Sequence, residues 1–265
     1  MILSILIFMF CGAIAGVLAG LLGVGGGIVI VPMLDFVFTK FGYNPAVVHQ
    51  LALGTSLATI IVTSISSSRA HHKRGAVHFD ILKNITPGIL VGTFLGGLVA
   101  THLPVFFLRA FFVVFLFAVS AQMLSGYRPA ASREMPGFVG TASVGGLIGL
   151  ISSFVGIGGG TLSVPFMTFC NVPIHHAVGT SAAIGFPIAV AGALGYVVGG
   201  WGAPDLPSGC LGYVNLMAFA GIAAVSFFTA PIGARISHSL PTSKLKKGFA
   251  IFLIFVALRM LWNLF

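Results

Sequence analysis

Two clusters of glycine stand out in a chain that is otherwise poor in reactive groups. Gly23-Val24-Gly25-Gly26-Gly27 leads into Val31-Pro32, and 133 residues later Gly156-Ile157-Gly158-Gly159-Gly160 leads into Val164-Pro165. Glycine lets a backbone turn sharply and present its N–H groups with no side chain in the way. Inside an apolar chain, bare backbone is tolerated only where protein buries it or where it lines a cavity. The same interruption at matching positions of two halves is the sequence sign of a transporter's binding site. The chemistry on offer is hydrogen-bond donation, because amides at a helix start are orphaned and carry partial positive charge that favours an anion. Close helix crossings alone ask for small residues four apart, not for consecutive ones.

Each cluster is followed by Gly-Thr-Ser, as Gly54-Thr55-Ser56 and as Gly179-Thr180-Ser181. These hydroxyls are candidate donors beside the amides; the alternative is back-bonding to the carbonyl one turn earlier. Candidates for carrying a coupling proton or cation are His49 ahead of the first motif, His175 and His176 ahead of the second, and Asp35. Asp35 is the one acid expected inside an apolar segment. Arg109 and Lys246 lie about one turn inside apolar helices and read as interfacial anchors. The three cysteines, Cys11, Cys170 and Cys210, are scattered and have no metal spacing. Paired carboxylates, HExxH and DxxxD patterns are missing, so an intramembrane enzyme finds little machinery here. A dinucleotide-binding reading of the glycines fails for want of a strand and a ribose-binding acid. No metal, no cofactor and no enzymatic activity are expected.

The elements that must position these groups are set by composition. The chain has 265 residues, 57% of them hydrophobic and 6% charged, with a mean hydropathy of +1.10. Soluble domains carry about 25% charged residues, so this is an integral membrane chain. The formal charge of +9, from 13 Lys and Arg against four acids, belongs to topology and lipid head groups rather than to nucleic acid. Long apolar helices are expected over 2–22, 46–66, 81–102, 104–125, 137–154, 176–198, 213–234 and 242–264. Short pieces at 28–38 and 161–170 follow the glycine clusters, each with a proline near its start. The apolar N-terminus lacks a basic leader and has an internal counterpart, so it reads as retained.

Matched linkers carry opposite charge. Arg69–Arg74 is basic where Gly199–Gly212 holds only Asp205, and Arg235–Lys247 is basic where Thr101–Pro104 is neutral. Cationic loops stay in the cytoplasm, so the halves point opposite ways. The expected fold is all-α and integral to the membrane. It has about eight long helices in two inverted repeats, each a broken or re-entrant hairpin plus three transmembrane helices. The repeats span 1–127 and 136–265 around a cytoplasmic linker at 128–135, and both termini lie outside. Whether the short pieces re-enter or cross fully stays open.

The doubled Gly-x-Gly-Gly-Gly-x-x-x-Val-Pro, each copy followed by Gly-Thr-Ser, resembles the TauE/SafE family of sulfite and organosulfur anion permeases. The resemblance covers essentially the whole chain. It implies a multi-pass inner-membrane transporter of small anions, sulfite or an organosulfonate above all, working by alternating access. The anion would bind at Gly23, Gly25, Gly26, Gly27, Gly156, Gly158, Gly159 and Gly160, helped by Thr55, Ser56, Thr180 and Ser181. A passive anion channel and a carrier of small carboxylates are the alternatives.

Overall fold

The computed structural model describes residues 2–22, 26–125, 134–239, 242–262 and 264. Gly23, Gly25 and most of the expected linker at 128–135 lie outside the described residues. The helices run α1 (Ile2–Leu22), α2 (Gly27–Lys40), α3 (Val48–His72), α4 (Phe79–His102) and α5 (Val105–Ser125), then α6 (Phe138–Val155), α7 (Gly160–Phe169), α8 (Ile174–Gly199), α9 (Leu216–Ser239) and α10 (Thr242–Trp262). Among the described residues α3, α4, α5, α6 and α8 are long and apolar enough to cross a membrane. Helices α1 and α9 hold shorter apolar stretches, Leu3–Ala19 and Leu216–Ala230. Large apolar side chains such as Phe10, Val114, Val139, Phe228 and Phe255 face outward, as a lipid-solvated surface requires.

The helical expectation has three local corrections. Helix α3 does not stop near residue 66 but continues through Arg69 to His72. Ser64 and Ser68 turn their hydroxyls onto the carbonyls of Ile61 and Ile65, and basic residues suit a helix C-terminus. Pro32 and Pro165 are the sixth residues of α2 and α7, past the first turn where a missing N–H does no harm. Each therefore removes an internal bond, to the carbonyls of Ile28 and Thr161. Finally, the linker before α9 holds a small antiparallel hairpin, β1 (Cys210–Leu211) with β2 (Val214–Asn215).

Packing fixes directions. Helix α3 lies antiparallel to α8, with Gly54 against Tyr196, Leu57 against Gly192 and Ser64 against Gly185. Helix α1 runs parallel to α9 through Gly12 on Ile222 and Gly16 on Ser226. Helix α4 runs parallel to α6 through Gly145 on Ile85 and Gly149 on Ile89. Gly12 and Gly145, like Gly16 and Gly149, are 133 residues apart, while their partners Ile85 and Ile222, like Ile89 and Ser226, are 137 apart, the offset at which the later helices also match, as Leu103-Pro104 with Leu240-Pro241. Backbone-to-backbone approach at these glycines is the close packing that small-residue faces permit. Helices α3 and α8 form the centre, with 67% and 56% of their apolar windows buried against 33% for α4 and α5.

Candidate functional site

The glycine clusters fall between helices. The first ends at Gly26, which caps α2 with φ +80°, and the second runs from Gly156, which ends α6 with φ +64°, to Gly159 ahead of α7. Positive φ at Gly26 and Gly156 is a conformation that other residues adopt only with strain. Neither α2 nor α7 has a side-chain hydrogen bond at its N-cap, and the first amides of a helix have no partner within it. The two breaks touch. A Cβ on Gly27 would collide with the Gly156 carbonyl and lie 2.8 Å from the Ile157 Cα, and one on Gly156 would lie 2.8 Å from Val31.

The Gly-Thr-Ser motifs lie on α3 and α8 and do the same thing twice. Thr55 Oγ1 accepts the backbone N–H of Asn215 at 2.9 Å, just before α9. Thr180 Oγ1 accepts the backbone N–H of His78 at 2.9 Å, just before α4. Gly54 lies against the Tyr213 carbonyl and Gly179 against the Ala76 carbonyl. Each motif thus lets a segment distant in sequence approach through its glycine and, through its threonine, holds the residue that starts the next helix of that segment. Asn215 continues the job by accepting the Ala218 N–H at 2.9 Å with its own side chain, as an N-cap residue does.

The serines differ. Ser56 donates to the Gly156 carbonyl at 2.8 Å, joining the first motif to the second break. Ser181 is fully buried, and its hydroxyl has no partner among the described residues. Two more buried hydroxyl oxygens without partners flank the second break: Ser152 near the end of α6 and Thr161 in the first turn of α7. An unsatisfied buried hydroxyl costs about 1–3 kcal/mol, and native proteins hold few of them.

A polar cluster ties α2 to its neighbours. Asp35 lies 3.0 Å from Nδ1 of fully buried His49 on α3, and it accepts from Arg109 of α5 at 3.2 and 3.4 Å. Arg109 is therefore not an interfacial anchor, because it neutralises the acid of α2. The side chain of Lys246 lies outside the described residues.

The profile of the family described as sulfite exporter TauE/SafE matches residues 8–260. The chain belongs to the TauE/SafE family. It is 39% identical over 97% of both chains to a "Probable membrane transporter protein" of Haemophilus influenzae. It is 28% identical over 98% of both chains to the "Probable membrane transporter protein YunE" of Bacillus subtilis. No solved structure matches it. This TauE/SafE chain is thus a multi-pass membrane transporter, a conclusion in which family, composition and helices agree.

The remaining candidates of this TauE/SafE transporter sort by position. His175 and His176 open α8 with their rings tilted and centroids 4.1 Å apart, and His176 also meets the ring of His78 at 4.4 Å. His78 adjoins the far end of α3, where His72 packs on Phe79 at 5.3 Å. His49 opens α3, and a helix of 25 residues is about 37 Å long. The histidines therefore form two groups at opposite ends of the central helices. Gly158 lies in the second break beside Gly159, and Gly160 is the first residue of α7. Sequence reasoning missed Arg109, His78 and Asn215 as partners. Among the described residues no group of His, Cys, Asp or Glu is arranged to hold a metal ion.

Proposed function

We propose that this transporter carries a small oxyanion, sulfite or an organosulfonate, bound at the paired glycine breaks. The observation that carries the reading is the pair of hydroxyls flanking the second break, Ser152 and Thr161, which have no partner among the described residues, beside the uncapped start of α7; Ser181 on α8 adds a third buried hydroxyl of that kind. A compact anion would accept from these hydroxyls and from the first amides of α7 together, whereas a cation could use the hydroxyl oxygens alone and would be opposed by the positive end of the helix. The contact between Gly27 and Gly156 supports one shared site rather than two separate ones. Asp35 with His49 and Arg109 is the candidate coupling element, since it ties the short helix after the first break to α3 and α5. His175 and His176, at the other end, are candidates for the same role on the opposite face.

Alternating access between inverted halves, 1–127 and 136–265, is the proposed cycle. The antiparallel course of α3 and α8 and the twin packing of α1 on α9 and α4 on α6 support it. So does the opposite charge of matched linkers, which also argues for an inner-membrane protein with both termini outside. The test is flux into proteoliposomes for sulfite, sulfoacetate, thiosulfate and lactate, with sodium and neutral solutes as controls. Saturable sulfur-anion flux, competed by the other oxyanions, is expected. Saturable cation flux with no response to any anion would refute the reading.

A further inference from the structure

A second feature lies away from the breaks. Helices α1, α2 and α10 leave between them a cleft of about 380 Å³, lined chiefly by Phe10, Met33, Phe36, Phe252, Phe255 and Val256. That volume falls in the range of clefts that hold small molecules. At one end two cations converge on one ring: the Arg259 guanidinium stands 4.0 Å from the Phe36 centroid and Lys40 Nζ 5.8 Å from it. Both side chains are exposed, and neither has an acidic partner among the described residues. Arg259 is in the last turn of α10 and Lys40 in the last turn of α2. Trp262, 85% exposed, follows Arg259 by one turn, and tryptophan in that setting marks the membrane–water boundary.

We propose that this cleft binds an anionic phospholipid, one acyl chain against the phenylalanines and the phosphate between Lys40 and Arg259. The occupant is argued from two properties. Phe10, Phe36, Phe252 and Phe255 are exposed on the outer surface, where a membrane offers them hydrocarbon. The cation pair at the boundary selects a negative head group, and stacking on Phe36 holds the guanidinium ready for phosphate. In the orientation proposed above, Lys40 and Arg259 lie on the external face, where the positive-inside rule calls for no cations. A lipid phosphate gives them a reason to be there. Asp35 also lines the cleft, but Arg109 and His49 hold its carboxylate.

The experiment uses the full chain with Trp201→Phe, which leaves Trp262 as the sole tryptophan. Its quenching is measured in phosphatidylcholine vesicles doped with brominated phosphatidylglycerol or with brominated phosphatidylcholine. Each cation should favour the anionic lipid about fivefold at low salt. Lys40→Gln with Arg259→Gln should remove that preference, and Val256→Phe, which fills the cleft without touching charge, should weaken it. Should the double variant misfold, Lys40→Gln alone should lower the preference about fivefold. Native mass spectrometry should show one fewer phosphatidylglycerol retained by the charge-neutral variant. Equal quenching by both lipids in the parent, or a preference that survives the charge change, overturns the proposal. Indifference to Val256→Phe overturns the acyl half of it.

Discussion

Thr55 and Thr180 make the same bond in the two halves, yet valine at the two positions should not cost the same. Valine keeps the shape of threonine and removes the acceptor. Asn215, whose N–H rests on Thr55, is 3% exposed, so Thr55→Val strands a buried amide at a cost of about 1–3 kcal/mol. His78, whose N–H rests on Thr180, is exposed. Water can replace the lost hydroxyl there, and the cost should stay under about 1 kcal/mol. Thermal unfolding in detergent, followed by fluorescence-detected gel filtration, reads the difference. Thr55→Val should melt clearly below both the parent and Thr180→Val, and Thr55→Ser should recover most of the loss. Equal melting of the two valine variants, or a lower value for Thr180→Val, would refute the capping argument. Parental stability in both, with a raised KM for sulfite instead, would return the hydroxyls to the substrate.

The other perturbations address the breaks, the ion cluster and the orientation. Gly27→Ala drives a methyl into the Gly156 backbone, whereas Gly159→Ala meets side chains alone, the Cγ2 methyl of Ile184, the end of Ile188 and Ser163 Oγ; the first should destabilise by about 1–3 kcal/mol and abolish flux, and the second should cost less stability than the first. Asp35→Asn leaves the guanidinium of Arg109 without its carboxylate and should cost about 3–5 kcal/mol. Adding Arg109→Gln should recover stability, and if the cluster couples protons the double variant's flux should no longer vary with pH; a recovered protein with parental pH dependence rules out that role. Single cysteines near His72 and near Asp205, in a background without the native three, should label from opposite faces, and labelling from one face would end the inverted reading.

The glycine breaks at Gly26 and at Gly156–Gly159 were legible because a run of glycines is a local signal, repeated here 133 residues on. The partners of the Gly-Thr-Ser motifs were not. Thr55 meets a residue 160 positions away and Thr180 one 102 away, and no local spacing predicts either. A trace existed all the same, for Asn215 and His78 are separated by the offset that matches the later helices. Arg109 was readable on physical grounds: an acid and a cation both inside apolar segments need partners, and the chain holds only four acids. The extra turns of α3 were hidden because positive charge signals a loop to topology and a helix end to the dipole at once. The β1–β2 hairpin, with two residues per strand, is too short for any periodicity to register.

The sign of the ligand's charge follows from which polar groups at the breaks are already engaged. The Gly26 carbonyl accepts from the amides of Val29 and Ile30, both at 3.0 Å. The Gly156 carbonyl accepts from Ser56. The Gly159 carbonyl accepts from the amides of Leu162 and Ser163 and from the Ser163 hydroxyl. These acceptors are taken. Pro32 and Pro165 do free the carbonyls of Ile28 and Thr161, but carbonyls in a helix point toward its C-terminus, away from the breaks. Among the described residues the hydroxyls of Ser152 and Thr161, which flank the second break, and of Ser181 on α8 have no partner, and the start of α7 has no side-chain cap. A cation entering would meet the carbonyls of Gly26, Gly156 and Gly159 already bonded and would have the hydroxyl oxygens to bind, but it would be repelled by the positive end of α7. An anion would meet donors whose unmet bonds each cost about 1–3 kcal/mol when buried. Stripping water from an ion is expensive, so several such donors must act on it at once. That requirement favours a compact oxyanion with acceptors on more than one side, the shape that sulfite and the sulfonates share.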